Sequence, residues 1–544
     1  MQRLQTIRLA MIGWVALMAV TFGVGAEDQV YSAAPAGAPS TTDNAGIPTA
    51  AGDPSGFLAE RAGVRSRNFS IGATGTLTLT DNVSLARPGQ EEEDLVLGLS
   101  VPLGLRREGS RVKLTVDYAP TVYLYTRSTE ANDVWHNLRS FVSVETVDDF
   151  LFVEASANSY PTYISALFPR PVSGGSITEN RTQQTTMGVS PYIRREAGGG
   201  WAYLVRNDNF WTTYSAGPLA DSFSSRITAE IESPPARLRY GFDYTYLYSR
   251  DDSQPTAYYQ QVARVRPILT VTRKLSVSGR LGYEANDYVT EDSGPVYGAG
   301  VEWTPTARTR LDGFLEDRFF GASYGLNFNH RTRRTGWKLS ATRNTYTSAE
   351  QPLTLRPGTT AEVVDEAFRS RIADPVQREQ EVKRFLERSG LPPSLTQPYT
   401  FYTNQIYLAE QVTGSVALLG RRNTAELTLF WQENEPITTS GDVLPGVLVT
   451  FDRLRQRGAR LTFSHRLSGF SSVALTANRL YSLTDSGVTS VDEIDSIEDT
   501  VRLSLTHQLS PRSDGSIAVQ WVNFNSDVSP YRELAVTAAL AHSF

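Results

Sequence analysis

From Phe69 onward the chain repeatedly runs for about ten to fourteen residues in which apolar side chains alternate with small or polar ones, each run closed by turn-forming residues. A period of two is the signature of a β-strand with unlike faces. In the stretch 93–106, Leu95, Leu97, Leu99, Val101, Leu103 and Leu105 fall on one face and Val96, Gly98, Ser100, Pro102 and Gly104 on the other. The next run sets Val112, Leu114, Val116, Tyr118, Val122 and Leu124 against Lys113, Thr115, Asp117 and Ala119. The same rhythm recurs with Leu238, Tyr240 and Phe242, with Leu275, Val277 and Leu281, and with Val501, Leu503 and Leu505. Strands of a soluble sandwich run to about five or six residues, whereas a tilted membrane strand needs roughly nine to eleven. Strand length therefore predicts an all-β, transmembrane, antiparallel up-and-down barrel, apolar outside and wet inside. Pro102, Pro120 and Pro267 interrupt these runs and are expected at bulges or near the rims.

The links give an independent test, because such barrels alternate short turns on one side of the membrane with longer loops on the other. Short links fall near residues 108–110, 147–149, 197–200, 233–236, 272–274, 304–306, 333–336, 420–423, 467–469 and 510–513. Longer ones fall near 86–93, 127–133, 160–179, 214–222, 250–256, 289–295, 317–322, 347–402, 434–449, 483–496 and 526–530. This predicts about 22 strands, within a range of roughly 18–26, over residues 68–544. The final run ends with Leu534, Val536, Ala538, Leu540, His542 and Phe544 on one face. A last strand stopping at a terminal aromatic has the form of the signal read by the barrel assembly machinery, so Phe544 is the expected assembly residue.

Two segments break the rhythm. Residues 1–26 carry Arg3 and Arg8, an apolar run from Leu9 to Val24, then Gly25-Ala26 before Glu27, which predicts a removed signal peptide. Residues 27–67, rich in Ala, Gly, Pro, Ser and Thr, predict a flexible periplasmic tail. In the long outer loop 347–402, residues 359–390 predict a helical insertion. It opens with a capping-box pair, Thr359 and Glu362, restarts at Asp374-Pro375 and stops at Gly390 before Pro392-Pro393. Val376, Val382, Phe385 and Leu386 form its apolar stripe, so it is expected on the barrel mouth or folded inward, as a constriction or as a surface excursion.

Composition narrows the functions. Outside the N-terminus no stretch approaches the roughly 18 consecutive apolar residues of a membrane helix. The 23 Phe and 25 Tyr against four Met suit strands, and the absence of cysteine suits a fold closed by hydrogen bonds. A net charge of −6 gives no sign of a nucleic-acid partner. The five histidines, His136, His330, His465, His507 and His542, lie on five separate runs without metal-binding or catalytic spacing. No phosphate loop, cofactor motif or plug domain appears. Inward parity assigns Lys113, Asp117, Arg239, Asp243, Arg280, Glu284, Glu426, Arg502 and Glu533 to the lumen, where most are expected to pair across strands.

Four stretches together resemble a known family. They are Ile71-Gly-Ala-Thr-Gly-Thr-Leu-Thr-Leu-Thr-Asp-Asn-Val83; Asn137-Leu-Arg-Ser-Phe141 with 149–157; Asp374-Pro-Val-Gln-Arg-Glu through Ser389-Gly-Leu-Pro392; and Asn404-Gln-Ile-Tyr-Leu408. In this order they resemble the outer-membrane barrels associated with PEP-CTERM/exosortase systems. The resemblance implies a place beside exopolysaccharide biosynthesis and contact with periplasmic polysaccharide-export proteins; it implies no catalytic residue. The expected function is a channel or export component in the outer-membrane lipid. The alternatives are a non-conducting scaffold for periplasmic export machinery and a rim-active hydrolase.

Overall fold

The computed structural model describes residues 69–165, 168–171, 175–217, 219–252, 257–287, 292–346, 406–437, 453–485 and 494–544, with eight further positions between 364 and 386. The predicted signal peptide and tail lie outside the described residues, as does most of the 347–402 insertion.

Antiparallel strands follow one another in chain order. The first are β1 (Phe69–Thr80), β2 (Asp94–Ser100), β3 (Leu103–Glu108), β4 (Val112–Tyr125), β5 (Asp133–Val147), β6 (Leu151–Tyr163), β7 (Arg181–Ala197) and β8 (Trp201–Tyr214). Next come β9 (Ser222–Glu232), β10 (Leu238–Asp251), β11 (Tyr258–Thr272), β12 (Leu275–Asn286), β13 (Asp292–Thr306), β14 (Thr309–Arg318), β15 (Gly321–Arg331) and β16 (Thr335–Tyr346). The last are β17 (Tyr407–Leu419), β18 (Asn423–Pro436), β19 (Arg453–Arg466), β20 (Ser471–Asp485), β21 (Ile494–Ser510), β22 (Ser513–Ser526) and β23 (Tyr531–Ser543). β2 and β3 share the neighbours β1 and β4 and form one crossing, so the wall has 22 crossings. β23 pairs with β1 from Gly72↔Ser543 to Thr80↔Ala535, and the Phe544 amide donates to the Ile71 carbonyl at 3.0 Å. That seam closes the barrel and leaves no strand edge.

The prolines sit differently from the expectation. Pro102 lies in the gap between β2 and β3, facing the part of β4 that holds Pro120, and the Val101 amide still reaches the Pro120 carbonyl at 3.4 Å. Neither proline can donate to the ladder, so placing the two together confines the lost bonds to one interruption within the wall. Pro267 stays inside β11, in register with Tyr240. The link expected as a loop at 317–322 is a tight turn at Phe319 and Phe320, followed by Gly321 at φ 86°. A positive φ favours glycine, which lets β14 and β15 reverse without a loop.

The two faces differ as the alternation requires. Inward residues are polar and covered: Thr76 is 5% exposed, Glu284 1% and Thr537 6%. Outward residues are apolar and bare: Leu281 is 57% exposed, Leu503 51% and Leu540 54%. A belt of this kind is stable against hydrocarbon and not against water. On β8 the outward Trp201 and Trp211 stand ten positions apart. That is about 33 Å along the strand and about 25 Å of height at a 40° tilt, the thickness of an apolar band bounded by aromatic girdles.

Candidate functional site

All nine sequence-predicted lumen residues lie on the inward parity of their strands, alternating with bare apolar neighbours. They do not form one cluster. Glu426 and Arg502 stand on β18 and β21, and Lys113 and Asp117 near the turn end of β4, where Asp117 has only a loose 3.9 Å contact with Arg106. Glu533 on β23 accepts hydrogen bonds from Thr80 at 2.9 Å and Ser176 at 2.7 Å. Asp243, four positions along β10 from Arg239, accepts hydrogen bonds from Arg266 Nε and Nη2, the latter at 2.7 Å.

Arg280 and Glu284 belong to a larger array that spans β11 to β14. Glu316 takes Arg264 at 3.0 Å and also Arg280. Glu284 is held by Arg318 at 2.6 and 2.9 Å, while the other arm of Arg318 donates to Asn344 Oδ1 at 2.7 Å. These links cross one or two intervening strands, and for Glu316 the inward positions crossed are glycine, Gly298 towards Arg280 and Gly298 with Gly282 towards Arg264. A Cβ on Gly298 would lie 2.2 Å from the Leu315 carbonyl and 2.9 Å from Glu316 Cγ, and one on Gly282 would lie 3.0 Å from Arg264 Cγ. Sequence parity missed Arg264, Arg266, Glu316 and Arg318; the signal available was inward glycine flanked by opposite charges. Carboxylates with this many charge-assisted bonds fix their arginines in place.

The rest of the wall is lined by short hydroxyls and amides. Thr74, Thr76, Thr78 and Thr80 run up β1, and Thr78 meets Thr537 at 3.0 Å. Ser415 meets Thr428 at 3.0 Å, Thr186 meets Thr212 at 3.1 Å, and Gln456 donates to Ser482 at 3.1 Å. The lumen thus has its most continuous ionic array over β9–β14, while elsewhere hydroxyls and amides alternate with separate charged groups such as the Glu154–Arg206 pair of β6 and β8 at 2.8 Å, Glu426, Arg502 and Glu533.

Across from the ionic sector the link between β6 and β7 folds inward. Arg170 and Glu498 form a 2.7 Å ion pair with each side chain 1% exposed. The Arg170 guanidinium lies 5.8 Å from the Phe524 ring, and Tyr531 Oη donates to the Arg170 carbonyl at 2.8 Å. The Ile177 amide donates to the Val83 carbonyl at 2.7 Å, and Gly175 sits so close to Val96 that a Cβ would touch it at 3.0 Å. These partners come from β2, β21, β22, β23 and the first outer link, so the segment lies along the inner wall. Asn180 ties it internally through the Ser165 and Phe168 carbonyls. Nothing in its polar, period-free sequence signals this descent.

Within the 347–402 insertion the eight described residues have helical backbone. Val364, Val382 and Leu386 form a buried cluster with Leu419, with Phe368 and Phe385 packed on it. Leu419 is the inward last residue of β17, at the end of the barrel that carries the short turns.

Four histidines repeat one arrangement on the outward face at the turn end. His330 bonds Thr309 at 2.9 Å, His465 bonds Asn423, His507 bonds Ser471 at 2.7 Å and His542 bonds Ser513 at 2.9 Å, in each case through Nδ1. The repeat, with Asn or Thr replacing Ser, marks an edge pattern of polar side chains at the membrane boundary rather than a nucleophile and base. Among the described residues, no group of three or more His, Asp or Glu side chains is placed to hold a metal ion.

No protein-family model and no curated protein sequence matches the chain. In fold it is similar to the FrpB iron transporter from Neisseria meningitidis, at 9% identity and a TM-score of 0.48 over 89% of this chain and 83% of that one. It is also similar to the siderophore receptor PirA from Acinetobacter baumannii, at 9% identity and a TM-score of 0.45, covering 88% and 81% of the two chains. OpdK from Pseudomonas aeruginosa, solved with vanillate, aligns over 88% of this chain and 99% of its own at 9% identity and a TM-score of 0.34.

Proposed function

We propose that this chain is an outer-membrane channel for hydrated, hydroxyl-rich solutes, and that its solute is an exopolysaccharide or fragments of one. The observation that carries this reading is the lumen, a closed wall whose inward side chains are hydroxyls, amides and paired arginines and carboxylates, with an inward link tied to it by the Arg170–Glu498 pair. Hydroxyls and amides exchange hydrogen bonds with sugars as readily as with water, and fixed charge of both signs passes a polar chain without trapping it. In this reading the short turns face the periplasm and meet polysaccharide-export proteins, the assembly machinery reads the strand ending at Phe544, and the segment 1–26 directs export. The sequence resemblance to barrels of PEP-CTERM/exosortase systems supports the choice of solute.

The test is ion conductance of the mature chain in planar bilayers, with and without residues 347–402. Current from the full chain, rising when the insertion is removed, is the expected result; silence of both forms at every voltage refutes a channel. The packing of Val364, Val382 and Leu386 on Leu419 favours a second reading, in which the insertion closes the lumen and the barrel is a docking scaffold. A scaffold loses polysaccharide secretion when residues 27–67 are deleted while its conductance is unchanged.

A further inference from the structure

The outward face is not uniformly apolar. On β19 the outward positions, read from the turn end, are His465, Phe463, Leu461, Ala459, Arg457, Arg455 and Arg453. From His465 to Arg457 is about 26 Å of strand, or about 20 Å of height at a 40° tilt, so Arg457 stands at the far edge of the apolar band. Its neighbours in register are Trp431 on β18 and Tyr481 on β20, an aromatic girdle, and its guanidinium lies 4.7 Å from the Tyr481 ring centre. Arg479, also outward and two positions below Tyr481, has a side chain 67% exposed and, among the described residues, only a 3.6 Å ion-pair contact with Asp499. Arg455 above is 40% exposed and 3.7 Å from Glu433, because Glu433 and Glu435 are both drawn to Arg453 at 3.1 Å.

We propose that Arg457 and Arg479, backed by Arg455, bind the phosphate of a phosphorylated glycolipid in the outer leaflet. At the middle of a bilayer an outward arginine costs about 2–4 kcal/mol, and near the interface about 0–1, so Arg457 is tolerated at its height, while Arg479, in register with Ala459 and roughly 5 Å lower, extends its long side chain towards the same level. A planar guanidinium matches a phosphate with two parallel N–H bonds. Stacking on Tyr481 orients Arg457 while leaving its N–H edge available, and Trp431 and Tyr481 seat the sugar and glycerol-level part of a headgroup. Arg453 prevents the two glutamates from neutralising the other three arginines. A free phosphate offers the same charge but lacks the acyl chains that place it at this height. The inference rests on the outward face meeting a membrane.

The test uses the full mature chain in a non-ionic detergent, with the bis-phosphorylated lipid A glycolipid, its dephosphorylated form and inorganic phosphate as separate probes, read by native mass spectrometry. The expected result is tight binding of the phosphorylated glycolipid alone, weakened at least tenfold in an Arg457→Gln/Arg479→Gln variant and unchanged in an Arg194→Gln/Arg195→Gln variant at the turn end. Heat-dependent gel migration confirms that each variant is folded. Equal binding by wild type and the Arg457→Gln/Arg479→Gln variant, equal binding of the dephosphorylated lipid, or displacement by equimolar inorganic phosphate each overturns the proposal. Failure of the wild type to insert into liposomes overturns the membrane reading itself, whereas insertion without a phosphate preference removes this inference alone.

Discussion

Removing either member of the Arg170–Glu498 pair should release the inward link from the lumen wall. Both side chains are 1% exposed, so Arg170→Ala leaves a buried carboxylate and Glu498→Ala a buried guanidinium. Stripping one partner from a buried pair costs about 3–5 kcal/mol, because the surviving charge has lost its water without a replacement. Other fixings include the Tyr531 hydroxyl on the Arg170 carbonyl, Ser176 on Glu533, the Ile177 amide on the Val83 carbonyl and the Tyr163 hydroxyl on the Pro171 carbonyl. Such bonds contribute about 1 kcal/mol each, so together they roughly match the loss and do not exceed it. A change of 3 kcal/mol moves the docked-to-released ratio by more than about a hundredfold. None of these contacts belongs to the strand ladder, so the barrel keeps its heat-dependent gel migration. Single-channel recording is the assay: the alanine variants should show higher conductance and more current noise than wild type. Arg170→Met/Glu498→Leu should restore quiet, low conductance, since an apolar pair of similar volume replaces the buried charges without leaving one alone. Folded alanine variants indistinguishable from wild type in conductance and noise would refute the reasoning.

Three further outcomes follow from the wall. Glu316→Gln removes the anion shared by Arg264 and Arg280, so the reversal potential in a KCl gradient should shift toward anion selectivity, and an unmoved potential would place these groups off the conduction path. Gly298→Ala forces a Cβ to within 2.2 Å of the Leu315 carbonyl, whereas Gly294→Ala meets nothing within 4 Å. The first should therefore lose about 1–3 kcal/mol, lowering the temperature at which the barrel unfolds on a gel, and the second should not. Leu503→Arg places a charge midway up the bare face of β21 and should cost about 2–4 kcal/mol in urea unfolding from vesicles, while Ser504→Arg on the inward side should cost far less.

What could be read from the sequence was whatever depends on one strand and its own two faces. Alternation in 93–106 and 112–124 set which side chains share a face, because successive residues in a strand must face opposite ways, and the same rule is what assigned Lys113, Asp117, Arg239, Asp243, Arg280, Glu284, Glu426, Arg502 and Glu533 to the inward parity. The spacing of turn residues set the number of crossings, since each reversal is local. What tertiary structure decided was everything that joins strands far apart in the chain. Pro102 and Pro120 become compatible with the wall only when register brings them together, and Glu316 reaches Arg264 and Arg280 only across Gly282 and Gly298. Arg170 finds Glu498, a residue 328 positions away, only after closure at the β1–β23 seam sets the width of the lumen. Local alternation carries no information about such distances, because register and curvature are properties of the closed sheet and not of any single strand.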